Sequence, residues 1–272
     1  MGSKLEYNRC GENKMNKQER ATAKSVRIDP DTVLIAENLI KTYTTGNSTV
    51  AALNNINLKV KKGEFIAIVG PSGSGKTTLI NCLGALDFPD SGKIIYNVDG
   101  KGMGLDLAVM TNKQQKKIRL SKIGLIFQFY NLFPILTAYE NVELPMIIDK
   151  KSPQEREKRV KYLLKRIGLG ERMDHLPSQL SGGEQQRVTI SRALVNEPLI
   201  ILADEPTGEL DTETTTNIIK IFLELKNAGE SILMVTHNKR IAKTADRIIT
   251  LTDGVFTHET KGGKPIEDIY KH

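Results

Sequence analysis

The chain has 272 residues, of which 39% are hydrophobic and 26% are charged, and its formal net charge is +7. These values are those of an ordinary globular protein with a buried core, and they leave room for one large or two small domains. No apolar run approaches the ~18–20 residues of a membrane-spanning helix, and the polar N-terminus lacks the apolar core of a secretion signal. The two isolated cysteines, Cys10 and Cys82, indicate a reduced, cytosolic setting.

Residues 1–30 are predicted to be a disordered polar extension, because they contain few large apolar side chains. The folded domain is predicted to span residues 31–258, and residues 259–272 are predicted to form a C-terminal tail. Residues 56–60 alternate apolar and polar side chains, which is typical of a half-buried strand. The basic residues are spread along the chain, so we expect a solvated surface rather than a patch for nucleic acid or an anionic membrane.

Three continuous apolar runs have the composition of strands that are buried on both faces of a parallel sheet. They cover residues 65–69, 199–203 and 232–235, and helix-like patterns occur at residues 153–167 and 214–228. This alternation predicts an α/β fold. Ligands of open parallel sheets bind at the carboxyl ends of the strands. The residues that follow the three runs are therefore expected to meet at one edge of the sheet.

A phosphate-binding loop is predicted directly after the first run, where residues 70–77 match G-x-x-x-x-G-K-[ST]. Its glycines let backbone N–H groups wrap around anionic oxygens, and the helix that begins near Lys76 adds the positive end of its dipole. Lys76 is expected to neutralise the β- and γ-phosphates, and the Thr77 hydroxyl to bind Mg²⁺. A glycine-rich turn without a ligand is the alternative. The predicted nucleotide-binding residues of this loop are Gly70, Ser72, Gly73, Ser74, Gly75, Lys76, Thr77 and Thr78.

Two carboxylates, Asp204 and Glu205, follow the second run. A carboxylate at a buried strand end is costly unless it is paired or bound to a metal. Asp204 is therefore a predicted Mg²⁺ ligand, and Glu205 is the candidate base that polarises an attacking water. The alternative is a simple turn in which Asp204 caps the segment after Pro206.

Ser181 and Glu184 match the capping box S-x-x-E, which predicts a helix that begins at this point. Gly182 and Gly183 would lie in the first turn of that helix. A capped helix start with two glycines offers bare N–H groups and a positive dipole to an anion. The structural and the functional interpretation of this segment are compatible.

Taken in this order, the phosphate loop, the segment LSGGEQQR at residues 180–187 and the acidic strand end resemble the ATP-binding-cassette (ABC) ATPases. The resemblance covers nearly all of residues 32–257. It implies a P-loop NTPase core with a parallel sheet, an antiparallel β-subdomain and a helical subdomain inserted at roughly 125–195. It also implies that ATP is hydrolysed with Mg²⁺ at two composite sites of a head-to-tail homodimer. In each site Ser181, Gly182 and Gly183 of one subunit would contact the γ-phosphate held by the other.

The same resemblance implies roles for four further residues. Gln128 would contact Mg²⁺ and the attacking water, His237 would bond the γ-phosphate, Tyr43 would stack on adenine and Asp211 would cross the dimer interface. Without the resemblance, Gln128 is an ordinary strand end, His237 a structural histidine and Tyr43 a core tyrosine. Glu209 departs from the Asn, Ala or Ser of many relatives, and its carboxylate would either weaken ATP-bound dimerisation or point into solvent.

Three segments resemble the lipoprotein-release and macrolide-export branch of the family, namely residues 84–92, 136–145 and 205–208. The cell-division and peptide-resistance ATPases have similar sequences in these segments. The resemblance implies an integral membrane permease as partner, no nucleic acid, and a cytoplasmic location at the inner face of the cell membrane. Residues 129–134 are rich in large apolar groups, which predicts either a contact with the permease or burial under the helical subdomain. The segment 99–112 is longer than expected and has no predicted role.

The alternative function is that of a soluble ABC-type ATPase that acts on nucleic acid, ribosomes or the cell-division machinery. The single cassette, the isolated cysteines and the absence of heptads in the sequence disfavour it. A nucleotide-binding regulator without turnover is disfavoured because Lys76, Glu205 and His237 are all present. A phosphotransferase kinase would leave residues 180–187 without a role.

Overall fold

Two β-sheets and a set of helices make up the part of the chain that the computed structural model describes, residues 26–46 and 48–266. The strands are β1 (Val26–Arg27), β2 (Thr32–Thr45), β3 (Ser48–Lys61), β4 (Phe65–Val69), β5 (Ser91–Asn97), β6 (Met103–Asp106), β7 (Ile123–Ile126), β8 (Ile200–Asp204), β9 (Ile232–Thr236), β10 (Arg247–Thr252) and β11 (Val255–Lys261). The helices are α1 (Lys76–Leu83), α2 (Asn112–Lys122), α3 (Ala138–Ile148), α4 (Pro153–Arg166), α5 (Gly182–Leu194), α6 (Thr212–Asn227) and α7 (Lys239–Ala242).

The first sheet is antiparallel and has the strand order β1-β6-β5-β2-β3. The second has the order β11-β10-β4-β9-β8-β7, in which all neighbours are parallel except the edge pair β10 and β11. The three predicted apolar runs are the adjacent strands β4, β9 and β8, and every residue of these strands is buried. The predicted α/β fold with a parallel sheet and an antiparallel sheet is confirmed.

The hydrophobic core lies on both faces of the parallel sheet, which is why its strands are apolar throughout. Ile66 and Ile68 of β4 face a cluster that α1 and the antiparallel sheet complete. Phe65, Ala67 and Val69 face the opposite cluster, to which α3, α4, α5 and α6 contribute. The Phe65 and Phe222 rings stack there with centroids 6.4 Å apart. The sheet is thus fixed between two apolar layers, and its strand ends are held in place.

Helices α3, α4 and α5 lie between β7 and β8, within the region predicted as a helical insertion. Each begins with a capping box, in which a Ser or Thr side chain and a Glu three residues later satisfy one another's backbone N–H groups. The predicted helices at residues 153–167 and 214–228 correspond to α4 and α6 within two residues at each end. No helix within residues 26–46 and 48–266 is both long and apolar enough to cross a membrane.

Three predicted boundaries need correction. Val26 and Arg27 form β1 and pair with β6, so ordered structure begins before residue 31, while residues 1–25 of the predicted extension lie outside the described part. Strand β11 continues to Lys261, past the predicted domain end at residue 258, because its pairing with β10 extends that far. Ile126 ends β7, so residues 125 and 126 belong to the sheet rather than to the helical insertion. The segment 99–112 contains β6 and the turn that leads into α2.

Candidate functional site

Four neighbouring parallel strands end at the same edge of the sheet, and each is followed by a predicted site residue. Strands β4, β9, β8 and β7 lie side by side, and the pairs Val69–Thr236, Val235–Asp204 and Ala203–Ile126 fix their register. The expected meeting of the three apolar runs at one edge is therefore confirmed, and the short strand β7 adds a fourth end. The residues that follow or end these strands at the edge are Gly70, His237, Asp204, Glu205 and Gln128.

The loop between β4 and α1 is packed so closely that glycine is required at two of its positions. Gly75 has φ +101°, and a Cβ at this residue would lie 2.1 Å from the carbonyl oxygen of Ala52. A Cβ at Gly70 would lie 2.1 Å from the carbonyl oxygen of Leu251. Gly73 also has a positive φ, +79°, but no heavy atom within 4 Å of the Cβ position. The backbone of β3 and β10 thus holds the loop in its turned conformation, which suits backbone N–H groups that face an anion.

The N-terminus of α1 differs from that of the other described helices. Gly75 precedes α1 and has no side chain that could cap the helix. The first turn of α1 contains no acidic residue. The helices α2 to α7 within the described residues each have a side-chain cap at the N-terminus. The uncapped N–H groups of α1 remain open to a ligand, and the helix dipole favours a negative charge there.

Lys76 is the first residue of α1 and is buried, although its side chain carries a charge. Its Nζ donates hydrogen bonds to the carbonyl oxygens of Gly70, at 2.9 Å, and Pro71, at 2.8 Å. The ammonium group is therefore held inside the curve of the loop. This is where a positive charge would balance the phosphate oxygens of a nucleotide.

Asp204 ends β8, and its Oδ1 atom is buried without a hydrogen-bond partner in the described structure. Burial raises the pKa of this carboxyl, while the Thr77 hydroxyl and the charge of Lys76 act in the opposite direction. Among the described residues no three or more His, Cys, Asp or Glu side chains form a group that could hold a metal ion. A lone carboxylate beside a hydroxyl instead fits a hard cation that takes its other ligands from water and phosphate.

Glu205 lies one residue further on and is paired with His237. The Nδ1 atom of His237 lies 3.0 Å from Oε2 of Glu205, and the two side chains are 66% and 12% exposed, respectively. Glu205 has φ +46°, an unusual value for a residue with a side chain, and its N–H donates to the carbonyl oxygen of Val235. A cavity of about 560 Å³ opens beside the pair, and Thr207, Thr236 and Gly208 contribute to its lining.

Gln128 follows β7 and contacts the loop after Glu205. Its Nε2 atom donates a hydrogen bond of 2.9 Å to Oε1 of Glu209. A Cβ at Gly208 would lie 3.3 Å from the same Nε2 atom. Glu209 is exposed, as one of the two predictions for it stated, yet it is not isolated, because its carboxylate accepts from Gln128.

The segment that contains Ser181, Gly182 and Gly183 forms a second group of site residues. Ser181 N–H donates to Oε2 of Glu184 at 2.8 Å, and its Oγ accepts from the Glu184 N–H at 3.3 Å, so the predicted capping box is confirmed. The neighbours of a Cβ at Gly182 or Gly183 would be Tyr130, Leu210 and Thr214. None of these residues belongs to the phosphate loop.

Asp211 belongs to this second group. It caps α6, accepting hydrogen bonds from the N–H of Thr214 at 2.9 Å and from its hydroxyl at 2.7 Å. These bonds lower the pKa of the Asp211 carboxyl, the backbone bond first. Since Thr214 also packs against Gly183, the N-termini of α5 and α6 adjoin. Apart from Tyr43, the predicted site residues are thus divided between the sheet edge and this pair of helix ends.

Tyr43 lies on β2 and is 41% exposed, so the core-tyrosine alternative is wrong. The Tyr43 hydroxyl donates a hydrogen bond of 2.7 Å to Oδ2 of Asp87. The Lys41 ammonium group lies 2.8 Å from the Asp87 carboxylate and 5.1 Å from the centroid of the Tyr43 ring. Burial and the Asp87 bond raise the pKa of Tyr43, and a hydrogen bond with Thr78 opposes them. The ring therefore lies beside the first turn of α1. Sequence reasoning missed Lys41 and Asp87, for which no motif provides a signal.

The apolar segment at residues 129–134 is not buried as a whole. Phe129 is 67% exposed and Phe133 is 50% exposed, while Leu132 packs on the core. A nearby groove of about 880 Å³ lies between α2 and the helical insertion. Its apolar lining is provided by Leu86, Leu125, Phe127, Pro145 and Ile148, and its basic rim by Lys113, Lys116, Lys117, Arg119 and Lys150.

Comparison with known families gives a match to the ABC transporter family over residues 53–208. The chain is 47% identical over 224 residues to the macrolide export ATP-binding/permease protein MacB of Bartonella quintana, covering 82% of this chain but 33% of that protein. It is 45% identical to the uncharacterized ABC transporter ATP-binding protein YvrO of Bacillus subtilis, covering 85% of this chain and 98% of that protein.

A solved structure of similar fold is the ATP-binding cassette MJ0796, determined as a dimer in a post-hydrolysis state bound to ADP and Pi. The TM-score is 0.75, the sequences are 43% identical, and the match covers 84% of this chain and 98% of that one. A second dimeric structure of the same cassette gives a TM-score of 0.76. The family match over residues 53–208 includes the phosphate loop, Gln128, the segment 181–183 and the pair Asp204 and Glu205.

Proposed function

This chain is an ATP-binding and ATP-hydrolysing member of the ABC transporter family, and we propose that it works as a head-to-tail dimer that drives a membrane permease. The observation that carries the proposal is the division of the site residues into two groups. The sheet edge holds a phosphate loop and the carboxylates, whereas Ser181, Gly182 and Gly183 contact other parts of the chain. A second copy in head-to-tail orientation would bring the helix start of one subunit to the phosphate loop of the other. The dimeric cassette MJ0796 supports this assembly.

Nucleotide binding is assigned to the phosphate loop and the face beside it. Gly70 to Thr78 would surround the phosphates with N–H groups, and Lys76 would turn from the carbonyl oxygens that it contacts toward the β- and γ-phosphates. The exposed ring of Tyr43 would stack on the adenine base, and Asp87 and Lys41 hold that ring in place.

A magnesium ion fits the residues at the end of β8, because Asp204 places an unpaired, buried carboxylate oxygen beside the Thr77 hydroxyl. Asp204, Thr77 and the Gln128 amide oxygen are the residues that would hold it. When bound, the ion would neutralise charge on the phosphate oxygens.

Glu205 is assigned as the base that orients and polarises the attacking water. Its carboxylate is largely shielded from solvent, borders the cavity and contacts His237. His237 is the more exposed partner. In this proposal it would bond the γ-phosphate and fix the position of Glu205. Ser181, Gly182 and Gly183 of the partner subunit's α5 would complete the site with N–H groups and a helix dipole.

The groove between α2 and the helical insertion is assigned to the permease. Its exposed apolar side chains are unusual for a free surface. The MacB relatives are named ATP-binding/permease proteins, and this chain spans about a third of their length. YvrO, which this chain matches over nearly its whole length, supports a permease on another polypeptide. We propose that this chain is the ATPase subunit of an export-type transporter and that it lies at the inner face of the cell membrane.

The test is purification of tagged Glu205→Gln protein, with ATP, from detergent-solubilised membranes of the native host. We expect a polytopic membrane protein in a fixed ratio to the ATPase dimer. The matched variant also carries Phe127→Asp and Ile148→Asp in the groove, and it should retain ATP-dependent dimerisation but lose the membrane protein. Recovery only with ribosomes or DNA would contradict the proposal and favour the soluble ABC-type alternative.

A further inference from the structure

Glu209 lies in the loop between β8 and α6, and its carboxylate is the hydrogen-bond partner of the Gln128 side chain. A carboxylate at neutral pH only accepts hydrogen bonds, whereas a glutamine amide has one donor end and one acceptor end. The Nε2–Oε1 distance of 2.9 Å therefore defines which end of Gln128 faces Glu209. The opposite orientation would place two oxygens against each other.

This hydrogen bond also determines the position of the oxygen of the Gln128 amide. With Nε2 engaged by Glu209, the Gln128 Oε1 atom points to the other side of the amide and accepts no hydrogen bond from the described residues. An amide oxygen is a ligand that magnesium accepts, and an amide nitrogen is not. The orientation of the amide thus decides whether Gln128 is able to act as a ligand.

The surroundings hold this arrangement on two further sides. Gly208 has no side chain, and the Gln128 amide lies against its backbone, with Cγ and Cδ 3.5 Å from the position a Cβ would occupy. Tyr130, two residues after Gln128, packs its hydroxyl against Gly182 at the start of α5. The loop that carries Gln128 therefore lies between residues 208–209 on one side and the start of α5 on the other.

We propose that Glu209 is a positioning residue, which orients the Gln128 amide so that its oxygen is presented to the nucleotide-bound cation. This inference rests on the proposed function, and it assigns to Glu209 a role different from weakening the dimer by charge repulsion. Glu209 touches neither nucleotide nor cation in this proposal. It acts through Gln128 alone.

The experiment measures how tightly the ATP-bound Glu205→Gln protein binds Mn²⁺. The electron paramagnetic resonance signal reports the concentration of free Mn²⁺, so the measurement does not require ATP hydrolysis. Adding Glu209→Ala should weaken Mn²⁺ binding about 10-fold, the lower end of the loss typical when an outer partner of a metal ligand is removed. Glu209→Gln should retain most of the affinity, because its amide oxygen still accepts from Gln128. The matched control Glu213→Ala removes a nearby exposed carboxylate and should leave the affinity unchanged.

A double-mutant cycle with Gln128→Ala distinguishes an effect of Glu209 that acts through Gln128 from a direct effect of its charge. If Glu209 acts through Gln128, Glu209→Ala should have no further effect on Mn²⁺ affinity once Gln128 is alanine. Equal losses in both backgrounds, or an unchanged Mn²⁺ affinity with a tighter dimer, would overturn the inference. A wild-type protein that lacked magnesium-dependent ATP hydrolysis would overturn the proposed function instead, since the Mn²⁺ measurements do not depend on turnover.

Discussion

Two consecutive carboxylates occupy different environments at the end of β8, and this difference supports different tasks. Asp204 is buried, burial raises its pKa, and one of its oxygens has no hydrogen-bond partner within residues 26–46 and 48–266. Glu205 turns out of the strand with φ +46° and contacts His237 at the cavity. A buried, unpaired oxygen suits a cation, while a carboxylate at the edge of a cavity suits the activation of water.

The assignment of Glu205 predicts the behaviour of Glu205→Gln. The amide retains the shape of the side chain but cannot take up a proton, so turnover should fall by about 10²–10⁴-fold while ATP binding is retained. Phosphate release and nucleotide binding are measured on the same preparation. Glu213→Gln, an exposed change in α6, is the control and should be fully active. Near-normal turnover of Glu205→Gln would show that Glu205 is not the base.

Cys82 gives a prediction about pH. It lies in α1, is fully buried, and burial raises its pKa to about 12. Because only the thiolate reacts with alkylating agents, iodoacetamide should not modify Cys82 in the folded protein at any pH from 7 to 10. Peptide mass spectrometry should find complete modification in denaturant at pH 8. Modification of the folded protein at a rate that levels off above about pH 8.5, as it does for an ordinary thiol, would contradict this account of the α1 environment.

Strand β4, the loop that follows it and helix α1 act as one unit. The strand is anchored between β9 and β10, and the loop is enclosed by backbone atoms of Ala52 and Leu251. Because α1 has no side-chain cap, its first N–H groups remain free for phosphate oxygens. The binding surface is therefore made mainly of backbone, which packing on both faces of the sheet keeps rigid.

A pair of glycine substitutions tests this packing. Gly75→Ala places a Cβ 2.1 Å from a backbone oxygen at φ +101°, and it should lower the free energy of unfolding by about 2–3 kcal/mol and abolish ATP binding. Gly73→Ala has the positive φ without the close contact, and its cost should be about 1 kcal/mol. Urea unfolding of the nucleotide-free proteins measures both values. Equal losses would show that packing around Gly75 is not the constraint.

The elements at the core of the sheet were predictable because burial on both faces requires continuous apolar runs, as in β4, β8 and β9. The start of α5 was predictable because the capping box is a local signal. The first strand was missed, since Val26 and Arg27 are exposed and are held only by pairing with β6. Two residues leave no periodic pattern in the sequence.

The side-chain contacts at the site were less predictable than the strands. Tyr43 and Asp87 are 44 positions apart, and Gln128 and Glu209 are 81 positions apart. Such pairs depend on the path of the whole chain, and neither has a spacing that marks it. The resemblance to a family identified Tyr43 and Gln128 as site residues, but the partners that hold them emerged only from the fold.

One copy of the chain contains both halves of the proposed site but keeps them in different places. The sheet edge carries the phosphate loop, Asp204, Glu205 and His237, and the starts of α5 and α6 carry the residues expected to meet a partner's nucleotide. A monomer should therefore bind ATP and hydrolyse it slowly. This separation is the basis for the claim that two copies share each site.

The most direct test is sedimentation of Glu205→Gln with ATP and Mg²⁺, with and without Ser181→Arg. Glu205→Gln should sediment as a dimer when ATP is present and as a monomer when it is absent. Adding Ser181→Arg should leave ATP binding intact but keep the protein monomeric, because the arginine side chain occupies the space for the partner's γ-phosphate. A monomer at saturating ATP in the Glu205→Gln protein, or a dimer that persists with Ser181→Arg, would contradict the shared site.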